Sequence, residues 1–289
     1  MNSKSLKPLL FIAPSFLLAF VIISYPIMDL IRLSFNDVGT FGELRGFIGV
    51  LNYQDVFEDE LFVEVLSRTF YWTLFVVVGT VSISVPIALA LNEDFYGKGI
   101  ARTIIMLPWA ISLAMTAIIW KWLLNPDYGM LNQFLKNIGL IEENIGWLAD
   151  ASTAFPMQIL IGILVSIPFT ISILMGGLTS IPSDIYEAAY LDGSSYFQRL
   201  KTLTLPLLKP FINIAVVLNV IYVFNSFPII WILTEGGPSN STDILPTYLY
   251  KMAFQYGEIG LAAALSVIML LLLLGFTIVY AYFAMKEKR

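Results

Sequence analysis

The sequence predicts an all-α membrane protein of about six transmembrane helices, and three observations carry that expectation. Of its 289 residues 58% are hydrophobic and 13% charged, with a mean hydropathy of +0.80, a balance far from that of soluble domains. Six apolar stretches are each long enough to cross ~30 Å of hydrocarbon. None shows the strict alternation of barrel strands, and a backbone in lipid must satisfy its own hydrogen bonds, so the stretches are expected to be helices.

Taken in order, the predicted spans are residues 9–35, 70–91, 104–124, 154–178, 211–233 and 260–285. The first follows Lys4 and Lys7 and so has the outline of a signal peptide. Its apolar run exceeds the roughly 7–15 residues of a signal core and lacks a clear small-residue cleavage site, so it is expected to stay as helix one. Pro14, Pro26, Pro86, Pro168 and Pro228 fall inside or near span ends, where they are expected to kink helices rather than end them. With no strong internal repeat and no low-complexity segment, residues 1–289 read as one domain.

Placing both termini inside puts 10 of the 16 basic residues on the inner face: Lys4, Lys7, Lys98, Arg102, Arg199, Lys201, Lys209, Lys286, Lys288 and Arg289. Basic residues rather than net charge set orientation, so this topology is favoured. A sequence pI near 4.8 argues against a nucleic-acid partner. The chain has no His and no Cys, which removes the commonest metal ligands, the usual proton shuttle and the thiol nucleophile. No metal site or catalytic residue is expected, and a membrane-embedded enzyme is disfavoured. Asp29, Arg32, Lys121, Glu93 and Asp94 all lie toward span ends, so a stand-alone proton- or voltage-coupled carrier lacks its relay. No phosphate-binding loop occurs, since Gly97-Lys98-Gly99 lacks both the upstream glycine and the following hydroxyl.

The connection 180–210 is unlike an ordinary loop. Ser183 stands where a helix cap is wanted, Asp184 lies in the first turn, and Gly193 can end that helix in a left-handed conformation. Ser194 or Ser195 can then cap a second short helix, with Phe197, Leu200 and Leu203 at helical spacing until Pro206. By periodicity alone the pair is either an amphipathic element on the lipid interface or a projecting surface for another protein. On the fifth span, Asn219, Tyr222 and Ser226 follow i, i+3, i+7 and are expected to share a face. Hydroxyls, amides and rings suit a sugar; the competing reading is that these groups bond neighbouring helices.

The run Glu187-Ala188-Ala189, Asp192-Gly193 and Leu205-Pro206 resembles the EAA loop of binding-protein-dependent ABC importer permeases. Phe47 to Tyr53, Arg102 to Trp109, Trp120 to Trp122 with Asn125 to Gly129, and Thr234-Glu235-Gly236-Gly237-Pro238 are similar to segments of the carbohydrate-uptake branch, MalF/UgpA type. Ser194 stands where the family more often has alanine, and the large extra outer domain of the enteric maltose permease is missing. The resemblance implies an ABC importer permease fold whose loop 180–210 docks on an ATPase, through Glu187, Ala188, Ala189, Asp192, Gly193, Leu205 and Pro206. It places solute contacts at Val165, Ser166, Phe169, Asn219, Tyr222, Val223 and Ser226. It also implies a second homologous permease, two cytoplasmic ATPase subunits carrying ATP and Mg, an extracytoplasmic solute-binding protein, and a bacterial or archaeal inner membrane with both termini cytoplasmic. No cofactor is expected on this chain. A sugar is the expected solute; glycerol phosphate or a polyol remain alternatives.

Overall fold

The computed structural model describes the chain from Ser3 to Lys286, with side chains from Phe11 to Phe283. The basic side chains assigned inward at Lys4, Lys7, Lys286, Lys288 and Arg289 lie outside that description. By length and composition five described helices can cross a membrane, and six if one sharply bent pair counts as a span.

Where the sequence predicts one continuous domain, the chain divides into two compact units, Met1–Glu64 with Tyr248–Leu274, and Val65–Thr247 with Gly275–Arg289. In the first unit, α1 (Ser3–Ser34) contains the apolar run Phe11–Ser34, none of whose most hydrophobic window is buried. It is followed by a two-stranded antiparallel hairpin, β1 (Asn36–Val38) and β2 (Leu44–Phe47), and by α2 (Leu51–Glu58). The buried Asn52 ties α2 to the end of α1: its amide donates to the Ser34 and Asn36 carbonyls, each at 3.0 Å. In the same unit the buried Tyr248 hydroxyl donates to the Asp59 carboxylate. Burial first, and then the bonded carboxylate, push that phenol well above its usual range.

The second unit is organised around α3 (Glu60–Asn92, from Val65 onward) and α7 (Ala151–Thr179). Gly162 lets these two helices approach, since a Cβ there would stand 2.8 Å from the Trp72 ring and 3.0 Å from Val76. Trp72 is fully buried, and its indole N–H donates to the Val223 carbonyl at 2.9 Å, which satisfies the only polar atom of a large apolar side chain. Around it pack Val76, Ile161, Val223 and Ile230; a second cluster gathers Ala88, Ile171, Leu174 and Leu208. Asp150 caps α7, accepting from the Ser152 N–H at 2.8 Å and from the Ser152 hydroxyl at 2.8 Å.

Two predicted spans differ from expectation. Residues 104–124 do not form one helix: α4 (Lys98–Met106) passes into a 3-10 turn, Leu107–Ala110, and α5 (Leu113–Leu123) starts at 95° to it. Pro108 supplies no N–H to continue the ladder, Ile111 is extended, and the Ser112 hydroxyl caps α5 by accepting from Met115 N at 3.3 Å. Residues 211–233 are likewise interrupted. Here α10 (Leu205–Phe224) ends at Asn225, and α11 (Phe227–Thr234) restarts with Pro228 in its first turn. Pro228 therefore ends one helix and begins the next rather than kinking a continuous one. A short α6 (Met130–Asn137) lies between α5 and α7. Asn132 there uses its whole amide, donating to the Pro126 and Ile145 carbonyls and accepting from Ile145 N and the Trp147 indole. The last elements are α12 (Leu245–Tyr250) and α13 (Ile259–Lys286), numbered after α8 and α9, which belong to the site.

Candidate functional site

The segment 180–210 folds as a knuckle. Helix α8 (Ser183–Leu191) is entered from Pro182, which is extended, and no side chain caps it; Ser183 instead points its hydroxyl at Asp184, so the expected Ser183 cap is not made. The far end is closed by three backbone bonds: Asp192 N to Ala188 O, Gly193 N to Tyr190 O and Ser194 N to Ala189 O, at 3.0–3.1 Å. This closure needs a left-handed residue, and Gly193 supplies it at φ +73°. Next, Ser195 and Gln198 form a reciprocal capping box on α9 (Tyr196–Arg199).

The second helix of the pair does not stop at Pro206, as its sequence suggested. A π-turn, Leu200–Thr204, carries α9 directly into α10, giving one helical run over Tyr196–Phe224. Leu205 N bonds Leu200 O five residues back; this wider turn makes room for the Pro206 ring in the next one. Leu205 and Pro206 are thus the root of a span rather than loop residues. Tyr186 holds α8 against this root by donating to the Thr204 hydroxyl at 3.2 Å, and the Arg199 guanidinium lies 5.8 Å from the centre of the Tyr190 ring. Glu187, Ala188, Asp192 and Gly193 are exposed and Ala189 is half-buried. Beside them a groove of about 570 Å³ runs between Glu187 and Tyr190 on α8 and Asn92 and Glu93 at the end of α3. The large apolar side chains Leu191 (86% exposed), Phe197 (78%) and Tyr190 (72%) stand bare on the knuckle.

Among the helices lies a second feature, a cleft of about 390 Å³. Val165 and Leu164 of α7, Tyr222 of α10, and Trp109, Thr116 and Trp120 of the bent pair line it. Phe169 stands between two of the rings, 6.2 Å from Trp109 in near-parallel stacking and 6.4 Å from Tyr222. Of the seven positions predicted to meet solute, Val165, Phe169 and Tyr222 therefore converge. The other four face elsewhere. Ser166 is buried and donates to the Gly162 carbonyl at 2.8 Å. Asn219 is fully buried, donating to the Thr170 hydroxyl and the Ala215 carbonyl, each at 2.8 Å. Val223 is core, and Ser226 is buried beyond the end of α10. Of the predicted shared face, Asn219 and Tyr222 lie on α10, whereas Ser226 falls past its end at Asn225 and does not continue their helical spacing. Trp109 and Thr116 were missed as lining residues; the signal was Pro108 followed four residues later by Ser112, a helix stop and a helix start. Among the described residues no group of three or more His, Cys, Asp or Glu is placed to hold a metal.

Long apolar helices enclosing an aromatic cleft, with a folded knuckle at the root of one span, define a multi-pass membrane permease. Residues 81–289 match the family described as binding-protein-dependent transport system inner membrane component. The chain belongs to that family, and is an ABC importer permease. It is similar to a probable ABC transporter permease protein of Brucella suis, at 54% identity over 97% of this chain and 96% of that one. It is also similar to the trehalose/maltose transport system permease protein MalF of Thermococcus litoralis, at 35% identity over 94% and 91%. Two solved structures share the fold. A bacterial ABC transporter involved in alginate import aligns with a TM-score of 0.87 at 21% identity, covering 99% of this chain and 97% of that one. A bacterial alginate transporter in complex with an alginate pentasaccharide-bound periplasmic protein aligns at 0.83 and 23%, covering 99% and 95%.

Proposed function

We propose that this chain forms, with a second homologous permease, the membrane passage for a neutral sugar handed over by an extracytoplasmic binding protein. Two ATPase subunits on the cytoplasmic side, which hold the ATP and Mg, drive it. Both termini face the cytoplasm of a bacterial or archaeal cell, which puts the knuckle on the ATPase side and leaves this chain without catalysis of its own. The carbohydrate assignment has the support of the trehalose/maltose relative. The single observation carrying the coupling role is the bare apolar surface of Tyr190, Leu191 and Phe197 on a folded helix pair, since such a patch rimmed by polar groups marks a protein contact. Glu187, Ala188, Ala189, Asp192 and Gly193 form the docked joint, and Leu205 and Pro206 its connection to the span.

For the passage, Val165, Phe169 and Tyr222 are the contacting positions, while Ser166, Asn219, Val223 and Ser226 are buried, Asn219 joining α10 to Thr170 of α7. The cleft lining has rings, aliphatic groups and two hydroxyls, with no Lys or Arg to pair a phosphate. Glycerol phosphate is disfavoured on that ground. Because the chain has no cysteine, single Val165→Cys and Tyr222→Cys variants can be probed with a water-soluble thiol reagent in the working complex. Both are expected to react, and Asn219→Cys and Val223→Cys to stay unreactive. Unreactive cysteines at 165 and 222 in resting and ATP-cycling complexes alike would remove the passage from this cleft.

A further inference from the structure

We propose that Gln158 is a positioning residue for transport, the buried amide that latches α7, and with it the passage wall, to the outer loop 235–243 and must let go when that wall moves. The inference rests on the passage reading above and comes from three observations. First, the loop is held fast without α7. Arg68 of α3 donates to the Asn240 carbonyl at 2.6 Å and the Asp243 carbonyl at 3.2 Å, and the hydroxyl of Thr69, one residue on, accepts from Leu245 N at 2.9 Å. Glu235, Ser239 and Asn240 are left-handed without being glycine, a conformation that persists only where the surroundings fix it. The loop is therefore an anchor.

Second, a directed chain of hydrogen bonds ties α7 to that anchor. The Thr242 hydroxyl gives its one proton to the Gly237 carbonyl at 2.8 Å, so toward Thr234, 2.7 Å away, it can only accept. Thr234 accordingly donates to Thr242 rather than to the more distant Ile230 carbonyl at 3.2 Å, and accepts from the Gln158 amide at 2.8 Å. Each bond points the same way, from α7 through the end of α11 into the loop, so each polarises the next. Third, Gln158 shares a face with passage residues. It stands about two turns into α7, at the end away from the knuckle, and Val165 and Phe169 follow at i+7 and i+11 of an unbroken helix, within about 20° of one line. A roll of α7 that turns Val165 and Phe169 relative to the cleft swings Gln158 off Thr234. The amide is fully buried, and its Oε1 has no hydrogen-bond partner among the described residues. The latched arrangement thus carries an unpaired acceptor and is held by little more than one bond. Such a link is a catch rather than a weld.

The test measures ATP hydrolysis by the complete complex in proteoliposomes, without and with the binding protein isolated with its solute bound. Gln158→Leu keeps bulk and removes the bond together with the unpaired acceptor, so the thermal midpoint of the complex should hold. Hydrolysis without binding protein should rise by about fivefold, the net worth of one hydrogen bond expressed as a ratio, and stimulation by the binding protein should shrink by the same factor. Thr234→Val, which strands the amide instead, should raise unstimulated hydrolysis as much, and the double variant should raise it no further. A packing role predicts the reverse, a lower midpoint with an unchanged hydrolysis ratio. That pattern, or unstimulated hydrolysis unchanged in both single variants, overturns the latch and leaves the passage reading standing. An unmodified complex that the binding protein does not stimulate overturns the importer reading and the latch with it. Co-purification of the ATPase reports assembly: Thr234→Val decides the matter should Gln158→Leu not assemble, and loss of assembly in both makes the bond structural and overturns the latch.

Discussion

Replacing Gly193 with alanine tests the joint of the knuckle directly, because the structure separates its two possible costs. A Cβ at 193 meets nothing within 4 Å, so no steric clash enters. What remains is backbone: at φ +73° an ordinary L-residue costs roughly 1–2 kcal/mol, while asparagine visits that region more readily. That cost corresponds to a factor of about 5–30 in favour of opened forms of the joint. It falls on the Ser194 N–H to Ala189 O bond, which closes the turn. Hydrogen exchange at the Ser194 amide in the assembled complex should accelerate by about that factor in Gly193→Ala and by less in Gly193→Asn. Uptake per ATP hydrolysed should fall in the same order. Identical exchange for glycine and alanine, or equal acceleration for alanine and asparagine, would refute the left-handed closure as the source of stiffness.

Gly162→Ala drives a methyl against the Trp72 ring and Val76 in a filled core, so the purified protein should lose about 1–3 kcal/mol, seen as a lower thermal midpoint; an undiminished midpoint would mean that α3 and α7 separate freely. Asp150 has its carboxyl held below its ordinary value of 3.8, first by the Ser152 backbone N–H and then by the Ser152 hydroxyl. Such a group stabilises the start of α7 above the ordinary carboxylate range and ceases to do so as pH falls through its lowered folded value. Amide exchange in the first turn of α7 should therefore rise as acid is added below about pH 4, and Asp150→Asn, which keeps an acceptor, should abolish that dependence.

Four membrane spans were legible because bilayer thickness imposes a minimum apolar length: α3, α7 and α13 include the runs read from sequence, and α1 all of its run but the last residue. Their polar-side extensions were not, since nothing in hydropathy marks where a helix stops once it leaves lipid: α3 begins at Glu60, ten residues before the predicted span. Gly193 was legible for the opposite reason, being the one position in its loop where a helix end and a left-handed residue coincide. The faces failed where helical arithmetic was carried across a break. Counting from Asn219 to Ser226 assumes an unbroken turn that Pro228 forbids, and Trp109 comes beside Phe169 only through a corner whose angle no single residue encodes. The β1–β2 hairpin was also unread; its glycine-rich, largely exposed residues lack the alternation that announces a strand.

The uninterrupted run from Tyr196 to Phe224 has a mechanical corollary. Twenty-nine residues at about 1.5 Å each make a strut of about 44 Å. Tilting such a strut by about 5° at its foot sweeps its tip through about 4 Å, comparable to the width of a sugar ring. Tyr222 rides near that tip, so a small nudge at the capped foot is geared up into the displacement of a whole aromatic wall.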